Sequence, residues 1–270
     1  MELEVRVSDI SNPLPQPQGG WRRTARVTWA VLSVFVAESV FLGLAVLPAV
    51  AFWSWHYRWA GIPEWARVVF LASAFVPAYL LFAAGLMLYS ALGSKLLGWR
   101  TRPDLATRVT DFDWPLVDWA RYLVTTHVVR LFAGAVFRST PVWVWYMRLN
   151  GARIGRGVWV NSLGLMDHCL LEIGGGAVIG SDAHVSGHIV EGGVLKTARV
   201  RIGQRVTIGI GAVVEIGAEI GDGAQVGALS VVPKHARLEL GGIYVGAPAK
   251  RLESSDSDRG HARHSPNASA

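Results

Sequence analysis

Hydrophobic and polar positions are ordered on two different scales along this chain. From Thr28 to Trp53 nearly every residue is apolar, and the same holds from Val68 to Leu92. A helix that crosses a bilayer needs about 20 such residues, so each run is long enough to span. Trp53, Trp55, Tyr57, Trp59 and Trp65 crowd the connection between them, as aromatic residues do at a membrane surface. Glu38 is the one charge inside the first run. An unpaired carboxylate at that depth is costly, so a helix–helix or water contact is expected for it. Pro77, near the middle of the second run, predicts a kink.

Residues 116–138 follow another rule. Asp118, Arg121, Thr125 and Arg130 recur at nearly helical spacing among Trp119, Leu123, Val128, Leu131 and Phe132. This predicts an amphipathic helix lying on the membrane surface. Pro141 ends it, and Trp143 to Leu149 reads either as a short interfacial piece or as a segment packed under the next domain.

Beyond residue 150 the period becomes six. Ile202, Ile208, Val214, Ile220, Val226 and Val232 are evenly spaced, and two residues before each stand Val200, Val206, Ala212, Ala218, Ala224 and Ser230. Gly follows the aliphatic position at Gly203, Gly209, Gly221 and Gly227, and the pattern recurs upstream at Ile154, Val160, Ile173, Ile179 and Val185. A strand repeats every two residues and a helix every 3.6. A period of six needs a chain that turns a corner after each short strand, three sides closing one coil, with glycine giving backbone freedom at the corner. The interruptions at Val185–Ile202 and Val160–Ile173 are expected to leave the coil as loops. The ladder resembles the left-handed parallel β-helix of the hexapeptide-repeat acyltransferases. The fold expected is therefore a transmembrane α-helical hairpin plus interfacial helix, followed by an all-β left-handed β-helix of about four coils. The division expected is a polar and basic lead-in over 1–27, a membrane domain over 28–150, an acyltransferase domain over 151–252 and a disordered tail over 253–270.

Composition sharpens this division. Mean hydropathy is +0.32. The chain has 12 Trp and 30 Gly, the former concentrated in the first half and the latter in the second. The net charge is +6, but no compact Lys/Arg run lies in the repeat half, which argues against nucleic acid as a partner. Lys95, Arg100 and Arg102 follow the second apolar run, while the connection holds only Arg58 and Arg67. That asymmetry predicts a two-span hairpin with the N-terminus and everything after residue 93 in the cytoplasm. Joined to the resemblance, it implies a multi-pass protein of a bacterial inner membrane with a cytoplasmic catalytic domain. The single cysteine, Cys169, allows no internal disulfide and fits a reducing compartment. No signal-peptide cleavage pattern precedes the first apolar run.

The resemblance also implies a site. Ser186-Gly187-His188 stands just before the long ladder, where sugar acetyltransferases of the superfamily carry their catalytic histidine. His188 is thereby expected to be the general base, a task suited to imidazole. Asp167 or Glu172 is expected to orient it or to bind an acceptor amine. The closing segment, Val226 to Lys234 and Tyr244 to Arg251, is similar to the part that contacts coenzyme A in relatives. This makes Gly209, Ala228, Lys234 and Lys250 the expected contacts of an acyl-CoA or acyl-carrier thioester, with no metal required. Ile210 departs from the polar residue that sugar acetyltransferases carry there. The superfamily also implies a homotrimer, and membrane lipids are the expected surroundings.

A further resemblance covers most of the chain. The apolar helices, Arg148-Leu149-Asn150-Gly151-Ala152-Arg153-Ile154-Gly155, Leu171-Glu172-Ile173-Gly174 and the segment His188 to Lys196 are similar to the membrane-embedded terminal region of bacterial non-ribosomal peptide synthetases of the poly-amino-acid type. In that family the loop is more acidic, and here His188, Glu191 and Lys196 match. No adenylation or carrier domain is evident, so a carrier protein or peptide synthetase is an expected partner. Two other readings compete. One is a non-catalytic scaffold of such an assembly. The other is a γ-class carbonic-anhydrase-like zinc site on His168, His184 and His188.

Overall fold

The computed structural model describes residues 20–58 and 61–252. The lead-in before residue 20, Trp59 and the expected tail from 253 onward lie outside the described residues.

The apolar runs form two helices, α1 (Trp21–Tyr57, 37 residues) and α2 (Glu64–Leu96, 33 residues), both long and apolar enough to cross a membrane. Their packing relies on small residues. A Cβ on Gly85 would come within 3.4 Å of the Ala45 Cα, and one on Gly93 would enter the Phe41 ring at 2.2 Å. Small residues let apolar helices approach where no hydrophobic drive exists between them. The outer faces remain apolar, with Phe35, Val36, Leu47, Val68 and Val76 all exposed. Pro77 lies within the continuous α2.

A helix stands where the surface-lying amphipathic one was expected, α3 (Trp114–Val129), extended by a π-helical turn (Arg130–Gly134) into α4 (Ala135–Phe137). Asp113 caps it by accepting the Leu116 N–H at 3.1 Å, and Pro115 occupies its first turn, a start signal that suits both residues. Its polar stripe is turned inward. Arg121 and Thr125 are buried, whereas Val124, Leu131 and Phe132 are exposed. The reason is Glu38, whose Oε1 accepts from the Thr125 hydroxyl at 2.6 Å. This is the helix–helix contact expected for that charge. Arg23 lies over the Phe112 ring at 5.2 Å, so α3 runs alongside the first half of α1.

The next helix, α5 (Pro141–Leu149), buries Trp143, Val144, Tyr146 and Met147 and leaves Trp145 exposed. The Arg148 guanidinium donates to the Ile154 and Gly155 carbonyls at 2.9 and 2.7 Å. The segment thus packs under the repeat domain while presenting one Trp outward.

From residue 153 the chain visits three parallel sheets in rotation. The first face stacks Ile154, Ile173, Ile202, Ile220 and Leu238 in register, and the second stacks Val160, Ile179, Ile208, Val226 and Tyr244. The third stacks Val185, Val214 and Val232, and Leu165 bridges to Val185 from the segment expected to loop out. The ladder also extends past Val232 through Leu238 and Tyr244. Between the aliphatic columns, Val200, Val206, Ala212, Ala218, Ala224 and Ser230 are all buried. Their small size is what the narrow interior accepts.

One reason for the glycines differs from the expected one. Gly203, Gly209 and Gly221 have no positive φ; the left-handed corner positions fall two residues later, at Arg205, Gly211 and Gly223. The glycine after each aliphatic residue is required by space, because the next coil passes directly over it.

Between Val185 and Val200 the chain leaves the coil as a β-hairpin, His188–Glu191 against Val194–Thr197, with Gly192 and Gly193 at positive φ in its turn. A strand from before α3, Ala106–Arg108, adds to its outer edge antiparallel. This arm was expected as a loop. Its pairing partner lies about 90 residues upstream, beyond the reach of local pattern.

Candidate active site

His188 is the first residue of the arm, immediately after the third-face strand His184–Val185 and the Ser186–Gly187 corner. Asp167 reaches it from a tight turn in which its own φ is +52°, a conformation that short polar residues tolerate. The Asp167 Oδ2 lies 2.5 Å from His188 Nδ1, and Oδ1 accepts from the Thr101 hydroxyl at 2.7 Å. The Asp167 side chain is fully buried and that of His188 is 17% exposed. Trp119 sets its ring edge-on to the imidazole at 5.0 Å. Ser186 Oγ accepts the His188 N–H at 3.2 Å and donates to its carbonyl at 2.7 Å. The Asp167 hydrogen bond and an aromatic wall therefore fix the ring, and Ser186 fixes the backbone that carries it. With Nδ1–H donated to Asp167, Nε2 carries the lone pair and is free to accept a proton.

Glu172 stands elsewhere. It lies on the first face, held by Arg153 at 3.1 Å, Arg199 at 3.2 Å and Arg201 at 3.4 Å, and makes no hydrogen bond to the arm. Gly209 and Ala228 share one edge of the coil, at the corner after the second face, where they touch from successive turns. Lys250 closes that edge, opposite Val245 in an antiparallel pair. Lys234 belongs to the next edge, with the arm: its Nζ pairs with Glu191, and its N–H donates to Glu215 at 2.9 Å. Lys196 joins the same Glu191 at 3.7 Å. Thr101 was not singled out from the sequence, and Trp119 was read only as part of the apolar side of a helix, since neither stands in a repeat nor beside His188 in the chain.

Lys234→Ala should change global stability by less than about 1 kcal/mol, because exposed ion pairs contribute little. It should nevertheless loosen the tip of the arm by a few-fold in opening, since the backbone pairing to Ala106–Arg108 remains. Hydrogen exchange of the amides from Ile189 to Leu195 is expected to quicken while the coil amides stay protected.

His168, His184 and His188 do not converge on one point. Among the described residues no group of three His, Cys, Asp or Glu is placed to hold a metal ion. His168 is buried edge-on to Tyr122, Trp143 and Tyr146. Burial, and secondarily the Arg130 charge, push it down to about 4 from an ordinary 6.5. Above pH 6.5 it is neutral in both folded and unfolded states. As pH falls from 6.5 to about 4 the unfolded chain takes up a proton that the folded chain refuses. Stability should therefore drop across that window, by up to about 3 kcal/mol. Denaturation midpoints should show a shallower slope for His168→Leu; an unchanged slope would assign the acid sensitivity to another group.

The structure has relatives. Its structural neighbours are hexapeptide-repeat acyltransferases. A maltose O-acetyltransferase from Clostridium difficile 630 is 16% identical, with a TM-score of 0.40 over 56% of this chain and 92% of that one. The hexapeptide-repeat acetyltransferase VCA0836 from Vibrio cholerae O1 biovar eltor, complexed with acetyl coenzyme A, is 24% identical, with a TM-score of 0.36 over 38% of this chain and 60% of that one. AntD, an N-acyltransferase from Bacillus cereus solved with an amino-sugar nucleotide and coenzyme A, is 26% identical, with a TM-score of 0.29 over 31% and 52%. Among curated proteins, the Delta-poly-L-ornithine synthetase of Acinetobacter baumannii (strain AB307-0294) is 26% identical over 172 residues. Those residues are 64% of this chain and span 13% of that synthetase. No family model matches the chain.

Proposed function

We propose that this chain is a membrane-anchored acyltransferase whose catalytic part is a left-handed β-helix. It transfers an acyl group from a thioester, acyl-CoA or carrier-bound, to a hydroxyl or amine. The observation that carries this reading is the buried Asp167 holding the Nδ1 of a partly exposed His188. A base so oriented has its proton-accepting nitrogen fixed before substrate arrives.

The step balances simply. His188 Nε2 takes the proton from the acceptor O–H or N–H while that atom attacks the thioester carbonyl. The tetrahedral intermediate collapses, the C–S bond breaks, and the departing thiolate takes the proton back from the imidazolium. Asp167 stabilises the imidazolium while it exists.

The donor fits the edge bearing Gly209 and Ala228. Beside them Ile210 and Leu229 project outward, 61% and 77% exposed, and Leu229 N–H donates to the Ile210 carbonyl at 2.9 Å. This apolar strip suits a pantetheine arm, and Lys250 at its end suits a phosphate. The strip follows the second face and His188 follows the third, so one copy does not bring them together. A neighbouring copy that lays its strip against His188 would complete the site, as a closed trimer does.

The two apolar helices would hold the domain at a bacterial inner membrane with the coil on the cytoplasmic side. The likeness to a poly-ornithine synthetase favours an amine acceptor, with a carrier protein or peptide synthetase as partner. Thiol release by the full chain in detergent, offered acetyl-CoA or a carrier-bound thioester with amine or hydroxyl acceptors, tests the reading. Release no faster than with His188→Ala, for every donor, would sink it.

A further inference from the structure

A cavity of about 700 Å³ opens where α2 ends, between Lys95–Arg102, α3 and the start of the coil. Such a volume suits a small ligand or a lipid headgroup. Lys95, Arg100 and Arg102 are exposed at its lining. Among the described residues none of the three has an ion-pair partner within 4.0 Å. Asp118, the one acid in the lining, pairs with Arg121 at 3.4 Å and also attracts Arg102 at longer range; one carboxylate against three lining cations leaves positive charge in excess. Deeper in, Ser94 lines the same cavity, and its hydroxyl is buried with no hydrogen-bond partner. A buried unpaired hydroxyl beside this excess of cations asks for an anion that accepts hydrogen bonds.

We propose that this cavity binds a phosphate group, carried on a headgroup presented where α2 emerges from the apolar layer. Arg100 and Arg102 offer forked donors, Lys95 a point charge, and Ser94 a hydroxyl at the floor. Spread loosely along a membrane surface, the same cations would only bias orientation; gathered around a recess with a buried donor, they form a site. The recess also adjoins the reaction centre. Cys169 lines it, and its Sγ donates to the Thr101 carbonyl at 3.3 Å, while the Thr101 hydroxyl donates to Asp167. A bound headgroup sits one layer of side chains from the Asp167–His188 pair. As a binding site the cavity stands independently of the acyl-transfer reading.

The test is calorimetric titration of the full chain in non-ionic detergent with two probes, dihexanoyl phosphatidic acid and inorganic pyrophosphate. At least one probe should bind saturably. The double variant Arg100→Gln/Arg102→Gln should weaken that binding by at least about tenfold, as expected for lost charged hydrogen bonds, and Ser94→Ala should weaken it less. Arg22→Gln/Arg23→Gln, which removes two cations outside the cavity, should bind normally, as should His188→Ala even where it has lost activity. Tighter binding of the lipid assigns the phosphate to a membrane source, and equal binding of pyrophosphate assigns it to a soluble one. Unchanged affinity in Arg100→Gln/Arg102→Gln, or an equal loss in Arg22→Gln/Arg23→Gln, would overturn the proposal.

Discussion

Replacing His188 by Ala is expected to lower acyl transfer by about 10²- to 10⁴-fold, the range that a positioned general base contributes. The fall is expected in kcat, because in the proposed step the imidazole would act on the acceptor proton only in the transition state. Asp167→Asn keeps the shape of the turn but presents an amide to His188 Nδ1. If the amide N–H points at Nδ1, the ring proton moves to Nε2, and the base loses its lone pair at the reacting side. A loss approaching that of His188→Ala is therefore expected. Glu172→Gln, which touches only arginines on the first face, should retain nearly full turnover. The comparison separates a catalytic histidine from a merely structural one. His188→Ala leaves the buried Asp167 with Thr101 as its side-chain partner, so some fall in melting temperature is expected in either case. A catalytic role predicts that turnover is lost well below the melting transition, while the arm stays anchored through Glu191 and the Ala106–Arg108 strand. Full acyl transfer in His188→Ala would remove the histidine from the chemistry, whereas no acyl transfer by the parent chain, with the role in cells intact in His188→Ala, would leave the chain as a scaffold.

The coil was legible because its signal is redundant. Each aliphatic position from Ile202 to Val232 repeats the same local requirement, so a period of six shows through without any long-range information. The two apolar helices were legible from length alone. The rest depended on contacts between distant segments. Asp167 was a candidate for orienting His188, but Glu172 was an equal one. Only the tight turn at Asp167 and the face assigned to Glu172 distinguish their surroundings. Thr101, which holds the far oxygen of Asp167, is 66 residues away in the chain. The inward turn of the polar stripe on α3 was misleading for the same reason. Arg121 and Thr125 look like a water-facing side until Glu38, 87 residues from Thr125, is placed opposite.

Gly209→Val should destabilise the coil by more than about 3 kcal/mol, even with no thioester present. The cause is steric and sits in the backbone. A Cβ at Gly209 would lie 2.4 Å from the Ala228 N and 2.6 Å from the Gly227 carbonyl carbon. Neither atom can move without breaking the ladder, in which Gly209 N–H donates to the Val226 carbonyl at 2.8 Å. Gly211, two residues on, is a different case: its φ is +63°, and the nearest atoms to an added Cβ belong to the Leu229 side chain, which can swing aside. Gly211→Ala should therefore cost only about 1 kcal/mol, the ordinary penalty for a left-handed residue. Thermal unfolding of the coil, followed by the strand signal in circular dichroism, measures both. The ordering matters for function, because Gly209 is also a proposed contact of the thioester. If Gly209→Val melted like the parent chain yet lost donor binding, glycine would be kept there for the ligand. A large loss of stability without ligand would show that stacking of successive turns requires it first, and that the donor strip of Ile210 and Leu229 is built beside a glycine the fold already needed.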